Sequence, residues 1–163
     1  MLFRSVFIFT GDIKSNIRLL NDEISDEQIA VAAKAVNADH FIDSLPKKYD
    51  DPVTERGSTL SAGQRQLLSF ARTLSINPAI LVMDEATANI DTETEQLIQQ
   101  ALETMMKGRT TIMVAHRLST IQHADNIMVI HKGKLRESGT HQQLLAKDGI
   151  YKKLYELQLY SNS

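Results

Sequence analysis

Two short stretches of the sequence have the residue types and spacing to bind and cleave a phosphate ester. Ile80-Leu81-Val82-Met83-Asp84-Glu85 is an apolar run that ends abruptly in two carboxylates. That pattern fits a fully buried parallel strand. In an open α/β sheet ligands bind beyond the carboxyl ends of such strands, so Asp84 and Glu85 are candidates for a metal ligand and a base. Adjacent strand side chains point to opposite faces, which gives the two acids different tasks. Upstream, Leu60-Ser61-Ala62-Gly63-Gln64 reads as the start of a helix. Ser61 and Gln64 fit a capping box, and Gly63 lets the backbone approach an anion closely. Ordinary helix capping would also account for Ser61 and Gly63, and for Asn89 and Asp91 further on. His116 directly follows the β-branched run Thr110 to Ala115, at the end of a predicted strand.

Taken in this order, the residues resemble the ATP-binding cassette (ABC) family, the ATPase subunits of membrane transporters. The family signature is Leu-Ser-Gly-Gly-Gln, and its Walker B strand ends in Asp-Glu. The likeness continues through Ala88-Asn89-Ile90-Asp91, similar to the D-loop, and Val114-Ala115-His116-Arg117, similar to the switch-histidine loop. Ala62 departs from the second-position glycine and narrows the space for phosphate. The resemblance implies an α/β fold, a P-loop NTPase-like parallel sheet with a helical subdomain, that uses ATP and Mg2+. It implies that Asp84 orients the magnesium shell, that Glu85 is the general base, and that His116 donates a hydrogen bond to the γ-phosphate. Ser61, Ala62, Gly63 and Gln64 would meet nucleotide held by a second cassette, with Asn89 and Asp91 at that dimer interface. The other implied partner is the transmembrane domain of an exporter, which would hold the chain at the cytoplasmic face of the membrane. Thr54-Glu55-Arg56-Gly57 is similar to an exporter element that couples the signature to the transmembrane helices, and points to multidrug or lipid export.

No G-x-x-x-x-G-K-[ST] occurs in the sequence: Gly57 and Gly63 are followed by Gln64, and Gly133-Lys134 by Leu135. Without that loop there is no cradle of backbone N–H groups and no lysine for the β- and γ-phosphates. The expectation is a cassette lacking its N-terminal part, inactive as an ATPase by itself. Arg4 falls where the family has its glutamine. The absent strand would belong between Thr110 to Ala115 and Ile127 to His131, leaving both without a neighbour on one side or paired directly with each other. The alternative function is a non-catalytic module that donates its signature to a partner's nucleotide. A cassette ATPase of translation or DNA repair is the weaker third reading.

Length and composition agree with one globular domain. The 163 residues are 42% hydrophobic, enough for a core. A net charge of −2 with no long basic block argues against nucleic acid as a partner. The absence of cysteine excludes disulfides and thiolate metal sites. No apolar run approaches the ~20 residues of a membrane span.

The elements that must position these residues follow from periodicity. Ile13, Ile17 and Leu20 fall at helical spacing, and Ser25 with Gln28 caps a helix over about 26–37 whose stripe is Ile29, Ala32, Ala33 and Val36. A short helix holds Phe41 and Ile42. The signature helix presents Leu67, Leu68, Ala71 and Leu74 inward and stops at Asn77-Pro78. Thr92 and Glu95 cap the next helix, with Leu97, Ile98, Ala101, Leu102 and Met105 inward and Gly108 as its stop. Strands are predicted at Thr110 to Ala115, Ile127 to His131 and around Leu135, a short helix near Ser119 to His123, and helices on either side of Asp148-Gly149, where Leu144, Leu145, Ile150, Leu154 and Leu157 are the apolar positions. Residues of about 7–75 form the helical and signature subdomain, and about 76–163 the rest of the α/β core.

Overall fold

The computed structural model describes residues 2–3, 7–54, 57–84, 92–114 and 121–161. The chain divides into two compact units, Met1–Met113 and Val114–Ser163.

In the first unit, β1 is Leu2–Phe3 and β2 is Gly11–Asp12. Helix α1, Ile13–Arg18, is opened by Asp12, whose carboxylate accepts the Ser15 N–H. It closes on Leu19 in the left-handed conformation, and Leu20 is left-handed as well. Leu20 therefore leaves the helical stripe that its spacing suggests and is 97% exposed, while Ile13 and Ile17 are buried. Helix α2, Asp26–Ala35, has the predicted Ser25–Gln28 capping box and buries Ile29, Ala32 and Ala33. Helix α3, Asp39–Ser44, a single 3₁₀ turn at Lys48–Asp50 and β3, Pro52–Val53, lead toward the signature. Strand β3 pairs antiparallel with β2.

Helix α4, Ala62–Ile76, is the spine of this unit. Its inward face is broader than the predicted stripe. Leu67, Leu68 and Ala71 are buried, and so are Phe70, Ser69, Arg72 and Thr73. Asn77 ends it in the left-handed conformation with its N–H on the Leu74 carbonyl, as a residue with a short polar side chain can. Strand β4, Ile80–Asp84, follows and pairs parallel with β1, with Leu2 opposite Val82. The strand is not buried on both faces. Leu81 and Met83 lie in the core, whereas Ile80 on the other face is 55% exposed. The same core cluster contains Leu67 and Leu68 of α4 and Ile98, Ala101, Leu102 and Met105 of α5, Thr92–Met106, so the helices supply apolar cover for the Leu81/Met83 face. Gly108, at φ +71°, lies two residues beyond the end of α5. Strand β5, Thr110–Val114, completes the order β1-β4-β5 as an edge, and Ile112 and Val114 are 52% and 55% exposed.

In the second unit, β6, Ile127–His131, pairs antiparallel with β7, Lys134–Gly139, through a turn with Lys132 and Gly133 both at positive φ. A register irregularity falls between Val129 and Ile130. Ile127 and Val129 pack with Leu144 of α6, His141–Ala146, and Tyr151 of α7, Ile150–Ser161. Met128 and Ile130, on the opposite face, are more than half exposed. So are the predicted inward positions Leu154 and Leu157, or nearly so. No helix among the described residues is long and apolar enough to cross a membrane.

Candidate functional site

The start of α4 is a complete capping box. Ser61 is extended, its Oγ accepts the Gln64 N–H at 3.1 Å, and the Gln64 Oε1 accepts the Ser61 N–H at 2.9 Å. This leaves Ala62 and Gly63 as first-turn amides that have no intrahelical acceptor by the geometry of a helix. Ser61 and Ala62 are exposed, Gln64 is half-buried, and Gly63 is buried. No acidic residue stands in the first turn to repel an anion, and the helix dipole adds positive potential there.

The loop that delivers Ser61 is held from the helix itself. Arg65 donates from Nη1 to the Leu60 carbonyl at 2.5 Å and to the Gly57 carbonyl at 3.3 Å. Gly57 adopts φ +62°, and a Cβ there would stand 3.1 Å from Ile8 Cγ2 and 3.2 Å from Arg65 Cδ. Any other residue would be strained by this conformation and would press on Ile8 and Arg65.

Asp84 is the last residue of β4 and is half-buried. A carboxylate at the carboxyl end of a parallel strand has the donor type and the position for a hard cation. Among the described residues no group of three or more His, Asp or Glu could cage a metal. Ser61 to Gln64 and Asp84 thus stand on different elements, joined through α4 and the Asn77-Pro78-Ala79 connection. Glu85, Asn89, Asp91 and His116 lie outside the described residues, as do Arg4, Glu55, Arg56 and the Thr92 side chain. Of the other histidines, His141 is satisfied by the Tyr151 hydroxyl, 2.7 Å from its Nδ1.

Sequence reasoning passed over the two arginines of α4. Arg65 and Arg72 are one heptad apart, close to two helical turns, and so lie near one face. Arg72, within the apolar stripe of the helix, is 5% exposed and donates to the carbonyls of Phe7 and Asn16. An arginine set among inward-facing apolar positions was the available signal.

A parallel β1–β4 pair, a capped helix start and a strand-end carboxylate are features of a nucleotide-binding α/β domain. The family follows from comparison: residues 4–88, a little over half of the chain, match the ABC transporter family, and the chain belongs to it. The uncharacterized ABC transporter ATP-binding protein YknV of Bacillus subtilis (strain 168) is 56% identical over 158 residues, 97% of this chain and 26% of YknV. The probable multidrug resistance ABC transporter ATP-binding/permease protein YheH of the same organism is 49% identical over 158 residues, 97% of this chain and 24% of YheH. A solved structure of a bacterial Atm1-family ABC exporter with ATP bound superposes with a TM-score of 0.83 at 43% identity, covering 93% of this chain and 27% of that one. The chain therefore spans about a quarter of the length of the curated relatives it matches.

Proposed function

We propose that this chain is the signature- and Walker B-bearing part of the ATPase domain of an ABC exporter. It works with a second cassette and with a transmembrane domain, at the cytoplasmic face of a membrane. The observation that carries the reading is the start of α4: a formed capping box, two first-turn amides without an intrahelical acceptor and no acid in the first turn, in the family's signature sequence.

In this reading Asp84 holds magnesium, which when bound neutralises charge on the transferred phosphoryl group. Glu85 takes the proton of the attacking water. His116 donates a hydrogen bond to the γ-phosphate. The Ser61 hydroxyl, the Ala62 and Gly63 amides and Gln64 meet the γ-phosphate of nucleotide whose phosphate loop comes from the other cassette, and Asn89 and Asp91 contact that cassette. Residues of about 7–75 and about 76–163 would act as the helical and core parts of the domain.

Glu85→Gln in the full-length transporter tests the reading. It should lower ATP turnover roughly 10²- to 10⁴-fold, the usual worth of a general base, and leave ATP binding intact. Turnover near wild type would remove Glu85 from the mechanism. The 163-residue chain alone should turn over no ATP.

A further inference from the structure

Arg72 is a buried cation facing neutral groups. Its Nε donates to the Asn16 carbonyl at 2.7 Å, Nη1 to the Phe7 carbonyl at 2.9 Å, and Nη2 to Asn16 Oδ1 at 3.3 Å. The Phe9 ring lies 5.6 Å from its Cζ. No carboxylate among the described residues forms an ion pair with it, and burial pulls its pKa down. A charge desolvated without a counter-charge is costly, and a well-packed apolar side chain would stabilise the same volume at least as well. What an apolar residue cannot do is fasten two chain positions at once with a rigid fork of donors.

Those two positions hold the segment beneath the signature loop. Asn16 is buried and fixes Phe9 from both sides: its Oδ1 accepts the Phe9 N–H at 2.8 Å, and its Nδ2 donates to the Phe9 carbonyl at 2.9 Å. Between Phe7 and Phe9 stands Ile8, 1% exposed, whose Cγ2 closes the space beside Gly57. Gly57 and Leu60 are in turn gripped by Arg65, and Ser61 is the next residue. A continuous series of packed and hydrogen-bonded groups therefore runs from Arg72 through Phe7 to Phe9 and Gly57 to the helix start.

We propose that Arg72 is a positioning residue that, with Asn16, seats the Phe7–Phe9 segment under the Gly57–Leu60 loop and thereby sets where Ser61 and the first amides of α4 stand. It rests on the assignment of Ser61 to the nucleotide site made above. The exposed aromatic pair Phe7 and Phe9, packed edge to face at 4.7 Å, is the outer surface of the same segment.

The test uses steady-state ATP hydrolysis by the full-length transporter with Arg72→Lys, Asn16→Ala, Ser61→Ala and the two double variants that include Ser61→Ala. Misplacing a group by about 1 Å can cost about 10²-fold, so Arg72→Lys should lower kcat by roughly 10- to 100-fold with little change in KM. Asn16→Ala, which leaves both carbonyl acceptors in place, should act in the same direction and less strongly. Each double variant should be no slower than Ser61→Ala alone, because residues acting through one group are not additive. Unchanged kcat in Arg72→Lys, or losses that multiply with Ser61→Ala, would overturn the proposal. So would failure of both Arg72→Lys and Asn16→Ala to fold, which would make the network purely structural. A wild-type protein without ATPase activity would instead refute the functional assignment, and a wild-type enzyme indifferent to Ser61→Ala would refute the role of the signature serine.

Discussion

Arg109 donates from Nη2 to Asn77 Oδ1 at 2.7 Å, joining the C-cap of α4 to the chain that enters β5. Arg109 also holds the Met105 carbonyl at 2.9 Å, near the end of α5. One guanidinium thus closes two helices and the start of a strand. Asn77 is suited to this because it tolerates φ 49° and supplies the acceptor. Asn77→Gly should cost about 0.5–1 kcal/mol, the worth of a modest hydrogen bond, and Asn77→Ala about 1–2 kcal/mol more, since alanine strains in the left-handed region. Denaturant midpoints of the three proteins separate the two contributions.

The opening of α7 depends on a carboxylate from β7. Glu137 accepts the Tyr151 N–H at 3.0 Å and the Ile150 N–H at 2.6 Å. These two bonds hold its carboxyl below the ordinary value of 4.5. A depressed carboxylate contributes stability that is present above the unfolded value and is lost as pH falls through the lower folded one. Protection of the first-turn amides of α7, relative to their intrinsic exchange at each pH, should therefore fall below about pH 4.5, and Glu137→Gln should remove most of that pH dependence.

Gly149 is required by the same cap. A Cβ at this position would fall on the Glu137 carboxylate, so Gly149→Ala should expel it and cost about 1–2 kcal/mol, comparable to losing a helix cap. If Gly149→Ala and Glu137→Gln act on one feature, the double variant should cost about as much as the larger single one. Thermal melts of the four proteins decide it.

Leu68 and Leu20 provide a contrast in burial. Leu68 is fully buried in the α4 core, and Leu68→Ala should cost about 2–5 kcal/mol. Leu20 is exposed at φ 62°, and Leu20→Gly should be neutral or stabilising by up to about 1 kcal/mol. Equal losses at the two sites would contradict the packing described.

What the sequence disclosed was local. The boxes at Ser25–Gln28 and Ser61–Gln64 were legible because both halves lie within one turn. Gly108 was legible for the same reason. Burial was harder to read: Ile80, Ile112, Met128 and Ile130 have the composition of buried strands, yet one face of each strand is open. Whether an apolar face is covered depends on distant neighbours. Leu20 had the helical spacing, but α1 closes at Leu19 before reaching it. The Arg72–Asn16 tie spans 56 residues, and periodicity carries no information about such a pair.

Apart from Arg72 Nη2, which meets Asn16 Oδ1, the side chains that tie α4 to the rest of the chain donate to main-chain oxygens. Arg65, Arg72 and Ser75 donate from side chains, and the main-chain oxygens of Leu60, Gly57, Phe7, Asn16 and Ile17 receive. A main-chain oxygen is present whatever residue carries it. Substitutions should therefore be tolerated unequally along these ties. Replacing Phe7 changes what the segment shows to solvent and keeps the carbonyl that Arg72 holds, whereas replacing Arg72 removes the donor of that tie and leaves the segment to Asn16 alone. The outer surface of the Phe7–Phe9 segment can thus be re-tailored to a different neighbour while the helix that grips it from beneath stays as it is.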